Sequence, residues 1–159
     1  MSGTMFGGSA FALDIGVRND TGGTVVPGEI LMVDARATTD DGFLAVYPEM
    51  GGTEIGAHTI QGVVLGPDGH VFDDQAELLI RILGIADVIV GTGLSVAVGE
   101  LGRSADSGAA TGAGRLLASL AAENTSAYSE RRVTSKFIVL EAVTSAAAGE
   151  TARCLVKGI

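Results

Sequence analysis

"ELLIRILGIADVIV", residues 77–90, decides the fold class. Leu78, Ile80 and Ile82 recur at every second position with Glu77 and Arg81 on the opposite parity. A period of two belongs to a strand with one face turned into a core. Leu79 and Leu83 leave the second face only partly polar, which predicts that it too is covered in part. Gly84 interrupts the run, and a glycine inside a strand predicts a bend or a bulge.

The same period appears on either side. Phe11, Leu13, Ile15 and Val17 alternate with Ala10, Ala12 and Asp14. Residues 29–33, 43–47, 59–65, 94–98, 137–143 and 152–159 read as further strands. Between them stand Asn19-Asp20-Thr21-Gly22-Gly23, Pro27-Gly28, Asp40-Asp41-Gly42, Gly51-Gly52 and Pro67-Asp68-Gly69, all turn-forming. Residues 99–114 and 124–135 read as loops, the first rich in Gly, Ala and Ser. Residues 115–123 (RLLASLAAE) are either a strand or a single helical turn, because Leu116, Leu117 and Leu120 suit a helix face but the segment is short. In the closing stretch, residues 146–148 form a tight connection. Ala152, Cys154 and Val156 then point inward, while Glu150, Arg153 and Lys157 point outward. The expected fold is all-β: a small antiparallel β-barrel, β-tulip or sandwich with long Gly-rich loops and at most one short helix.

Composition agrees with that expectation. There are 24 glycines, no tryptophan and 47% hydrophobic residues in 159 positions, as expected of short strands joined by tight turns. The length suits one β-rich domain over 11–159 behind a Gly/Ser-rich arm at 1–10. Residues 61–85 and 136–159 share one plan, strand, turn-rich connector and strand ending Gly-Ile, so the domain divides alternatively into two pseudo-repeated halves, 11–90 and 91–159.

The net charge of −9 argues against a nucleic-acid groove, since Arg131-Arg132 with Lys136 is the sole basic cluster and reads as a solvated loop. No apolar run reaches the length of a membrane span, and the start MSGTMFGGSAF is unlike a signal peptide. The chain is therefore expected to be soluble and intracellular at synthesis. Cys154 stands alone and reads as a small buried hydrophobe.

Few residues suggest chemistry. Asp68, His70, Asp73 and Asp74 are the best oxygen-rich constellation, yet they lack the ligand spacing of an EF-hand loop. A solvated turn accounts for them, the alternative being a metal- or carbohydrate-binding module or enzyme built on those four. His58 is distant from His70 in sequence. No nucleophile elbow surrounds Ser104 or Ser107, and the glycines of 108–117 precede Arg115 rather than the Lys-Ser/Thr pair of a phosphate loop. The reading is a protein that is not an enzyme and needs no cofactor.

Three phrases carry a family resemblance: "VRNDTGGTVVPGEILMV" (17–33), "AELLIRILGIADVIVGTGLSV" (76–96) and "FIVLEAVTSAAAGETARCLV" (137–156). They resemble the small bacteriophage head-decoration, or cement, proteins. The likeness is greatest to the Gly/Ala-rich phage family of unknown function once described as predicted recombinases. The loops at 99–114 and 124–135 depart from the shorter members. The resemblance implies a structural virion protein, a homotrimer that binds the major capsid protein on the outer surface of the assembled head after synthesis in the host cytoplasm. It implies no nucleic-acid or membrane partner. On that reading the arm orders on the capsid, with Met5 and Phe6 as apolar anchors.

Overall fold

The computed structural model describes residues 12–39, 42–48, 60–104, 116–119 and 135–158. The described residues are all-β, with no helix among them. The strands are β1 (Leu13–Asn19), β2 (Ile30–Thr39), β3 (Gly42–Val46), β4 (Gln61–Val64), β5 (Glu77–Ile89), β6 (Leu101–Ser104), β7 (Leu117–Ser119), β8 (Phe137–Val139) and β9 (Thr151–Lys157).

Their pairings make a closed five-stranded barrel and a second ring beside it, joined by β5. In the barrel β5 pairs antiparallel with β1 and β4, β4 with β2, and β2 with β3. A parallel pairing of β1 with β3, Val17 opposite Phe43, closes it. The second ring repeats this order. The later part of β5 pairs antiparallel with β9, β9 with β8, β8 with β6, and β6 with β7. A parallel bridge between Val90 and Leu117 closes this ring as well. One 13-residue strand thus serves both rings. Its partner β1 ends at Leu83 and β9 begins there, against Lys157. Gly84, next in line, has φ 118, a conformation that side chains disfavour, so the bend predicted from its glycine is where β5 passes from one ring to the other.

Four connectors of one design link the strands. In each, a turn hydrogen bond runs from residue i+3 back to residue i: Glu29 to Val26, Ala76 to Asp73, Glu100 to Ala97 and Glu150 to Ala147. The residue before the donor is left-handed: Gly28 (φ 94), Gln75 (φ 65), Gly99 (φ 84) and Gly149 (φ 81). Each turn then docks on a strand. Gly28 donates to the Val64 carbonyl and Val64 donates back to that of Glu29; Gln75 and Ala76 do the same with Asn19, as Gly99 and Glu100 do with Val139. Val90 donates likewise to Glu150. The connectors meet in pairs through reciprocal bridges, Val25 with Phe72 and Val96 with Val143.

Two apolar clusters fill the rings. Val17, Leu31, Val64, Leu78, Ile80 and Ile82 lie in the barrel; Val88, Leu117, Phe137, Val139, Cys154 and Val156 lie in the second ring. Ile30 and Val63, on the opposite parity of β2 and β4, join the second cluster, so the barrel wall is also a floor for its neighbour. Fully burying an aliphatic side chain stabilises by about 1.5–3 kcal/mol, which makes this shared wall a large part of the chain's stability.

Two sequence expectations are corrected here. Residues 94–98 alternate like a strand but form a connector in which Val96 alone bridges, because Gly93 (φ 79) and Gly99 (φ 84) turn the chain on both sides. The loop expected over 99–114 contains β6, whose LGRS sequence lacks an apolar alternation and is held as a strand by β7 and β8. For 115–123, Leu117–Ser119 is strand.

Candidate interaction face

Alternation along β5 gives it two faces. Leu78, Ile80, Ile82, Ala86 and Val88 are buried, whereas Leu79 (51%), Leu83 (40%) and Ile85 (40%) are exposed on the other side. The partial cover predicted for Leu79 and Leu83 is therefore not supplied by the described parts of the chain. Neighbouring strands extend the stripe: Leu13 of β1 stands opposite Leu83, and Leu155 of β9 opposite Ile85, both exposed. Two depressions flank it. One, about 400 Å³, has Gly16 between Phe43 and Leu79. The other, about 620 Å³, runs along Arg81, Ile85 and Asp87 beneath Pro27 and Gly28.

The acids of this face each have an arginine beside or opposite them, while Lys157, in register with Leu83, has no carboxylate opposite it. Arg81 grips Asp14 through Nε to Oδ1 at 2.8 Å and Nη2 to Oδ2 at 3.0 Å, and its Nη1 donates to the Ile85 carbonyl at 2.8 Å. The Asp14 hydrogen bond, against some desolvation, raises the Arg81 pKa further above its ordinary value. Arg153 Nε meets Asp87 Oδ1 at 3.2 Å, and Arg18 stands opposite Glu77 in register. Acids and bases thus alternate around an apolar centre.

The side chains singled out in the sequence lie on the connector that follows β4, and Asp68 also lines the larger depression. Asp68, His70, Asp73 and Asp74 are all exposed. The His70 ring packs edge-on against Phe72 at 4.4 Å, and Asp74 Oδ1 accepts the Gly22 N–H at 3.1 Å. Asp73 contributes its backbone: its carbonyl accepts from Asn19 Nδ2 at 2.9 Å. Among the described residues no group of three or more His, Cys, Asp and Glu is arranged to hold a metal ion. Met5, Phe6 and His58 lie outside the described residues.

Two further groups were not singled out as sites. Cys154 is buried in the second ring, and burial, with Asp87 nearby, pushes its thiol up to about 12, so it is not a thiolate at neutral pH. Lys136 lies opposite Lys157 across β8 and β9, and burial together with that second ammonium lowers its pKa.

No family model matches the chain, and no curated protein matches it. Among solved structures it is similar to the head fiber gp8.5 N base of bacteriophage phi29, with a TM-score of 0.47 and 13% identity over 91% of this chain and 93% of that one.

Proposed function

We propose that this chain is a structural virion protein that decorates a phage capsid, binding the outer surface of the assembled head as a homotrimer and stabilising it. The three Gly/Ala-rich phrases that resemble head-decoration proteins support the reading. The structural observation that supports its oligomeric part is the outward face of β5, an apolar stripe whose acids have arginines beside or opposite them, as a protein contact surface has. Stabilisation follows from linkage. A protein that binds the assembled shell and not its parts favours the shell by about 2.7 kcal/mol per site at a hundredfold excess over Kd, and many copies add.

The test is co-sedimentation with expanded, undecorated heads of the phage whose genome carries the gene. The expected outcome is saturable binding and a rise in the temperature at which heads disrupt. A chain that stays in the supernatant at micromolar concentration would overturn the reading. Deleting residues 1–10 is expected to lower occupancy, as Met5 and Phe6 would leave with the arm.

A further inference from the structure

We infer that copies of this chain associate with one another through the outward face of β5, with Leu79, Leu83 and Ile85 at the centre and Leu13 and Leu155 beside them. The inference deepens the homo-oligomer part of the reading above by naming the face and its occupant. Three observations carry it.

The first is apolar exposure. Leu79, Leu83, Ile85, Leu13 and Leu155 are each between 36% and 51% exposed and lie on three hydrogen-bonded strands, so they form one patch. Strands about 4.8 Å apart, with a rise of about 3.4 Å per residue, give such a face on the order of 300 Å². An interface of about 1,000 Å² in total needs about 500 Å² per partner, so the flanking depressions would be covered with it.

The second is charge. The whole chain carries −9, so two copies repel wherever their acids face each other. On this face Asp14 and Asp87 are neutralised by Arg81 and Arg153, and Glu77 stands opposite Arg18. Lys157, in register with Leu83, is left without an opposing acid, so this strip is not acidic on an otherwise acidic chain, which favours a second copy over a cationic protein. Because the acids of the strip already have arginine neighbours, covering them requires little new compensation.

The third is shape. Gly16 leaves open space where a side chain would stand, with nothing within 4 Å of a Cβ placed there, and Phe43 and Leu79 border that space. A protruding leucine of a second copy fits such a depression.

Sedimentation equilibrium of the full chain between about 1 and 100 µM tests this, on the micromolar scale of modest protein contacts. Wild type is expected to associate, and raising the salt from low to moderate is expected to preserve or tighten association, because salt screens the net repulsion. The double variant Leu79→Glu/Leu83→Glu is expected to weaken association on the order of 100-fold. Gly16→Arg, whose Cβ has nothing within 4 Å, gives the same direction at an exposed position, so it decides the matter if the double variant misfolds. Val98→Glu, at a connector tip off this face, is expected to leave association unchanged. A wild type that remains monomeric throughout, or folded Gly16→Arg that associates like wild type, overturns the inference. Head binding by a monomer would sink this inference together with the homotrimer part of the reading above and leave capsid binding standing; self-association without head binding would sink capsid binding and leave this inference standing.

Discussion

The connector that carries Gly28-Glu29 and the one that carries Gln75-Ala76 make the same backbone turn from different residues. Where glycine and glutamate are present, Glu29 Oε2 accepts the Val26 N–H at 3.0 Å, closing the turn with its own side chain. Glu100 does this for Ala97 at 2.9 Å and Glu150 for Ala147 at 2.8 Å. The Gln75 connector has neither residue. A non-glycine takes φ 65, and it is braced through residues 19 and 20 at the end of β1: Gln75 Nε2 donates to Asp20 Oδ1 at 2.9 Å, and Asn19 Nδ2 to the Asp73 carbonyl. Buried Asn19 also draws in the Gly23 carbonyl at 2.7 Å and accepts from Thr21. One turn geometry is thus obtained locally in three places and by a long-range polar network in the fourth. The Gln75 turn therefore depends on the end of β1, whereas the others carry their own closure.

The largest effect expected within this comparison is Gly28→Ala. Its left-handed φ costs an L-residue about 1–2 kcal/mol. A Cβ there would also lie 2.8 Å from Ile89 Cγ1, and overpacking adds about 1–3 kcal/mol. Gly149→Ala shares the backbone cost but has nothing within 4 Å, so it is expected to cost only about 1 kcal/mol. Urea unfolding of the two variants measures the gap. Equal losses would mean that Ile89 yields readily to the added Cβ.

Next in size is the glutamate. Glu29 is buried and accepts from Val26 at 3.0 Å and from Tyr47 Oη at 3.2 Å; Tyr47 keeps the Thr24 carbonyl as an acceptor, so Glu29→Ala strands the Val26 donor and is expected to cost about 2 kcal/mol. Glu150→Ala removes an exposed closure whose N–H partner water can satisfy, and is expected to cost under about 1 kcal/mol. If the two losses matched in thermal unfolding, burial of Glu29 would not be what distinguishes them.

Legibility in the sequence follows the same division. The alternation of β5 identified its buried face residue by residue, and Ala152, Cys154 and Val156 are buried as the closing stretch predicts. The turn at 146–148 was readable because Ala147, Gly149 and Glu150 close it within four residues. What escaped is what depends on distant partners. The parallel closures, β1 with β3 and Val90 with Leu117, leave no local pattern. β6 is strand only because β7 and β8 flank it. The interaction face was half legible: Leu79 and Leu83 marked a second apolar surface, but its continuation through Leu13 and Leu155 requires the register.

The smallest effect tests the Gln75 turn directly. Gly in place of Gln75 would remove the cost of a left-handed side-chain-bearing residue, about 1 kcal/mol, and would lose one exposed hydrogen bond to Asp20 worth about 0.5 kcal/mol. The extra freedom of glycine in the unfolded chain offsets part of the gain. Gln75→Gly is therefore expected to stabilise by less than about 1 kcal/mol, whereas Asn19→Ala, which strips the buried brace from the same turn, is expected to destabilise by several times as much. Opposite signs from two residues of one turn would mean that its conformation is imposed by Asn19 against the preference of Gln75. A loss on Gln75→Gly as large as that on Asn19→Ala would instead make Gln75 itself the brace, and the distinction between local and borrowed closure would fail.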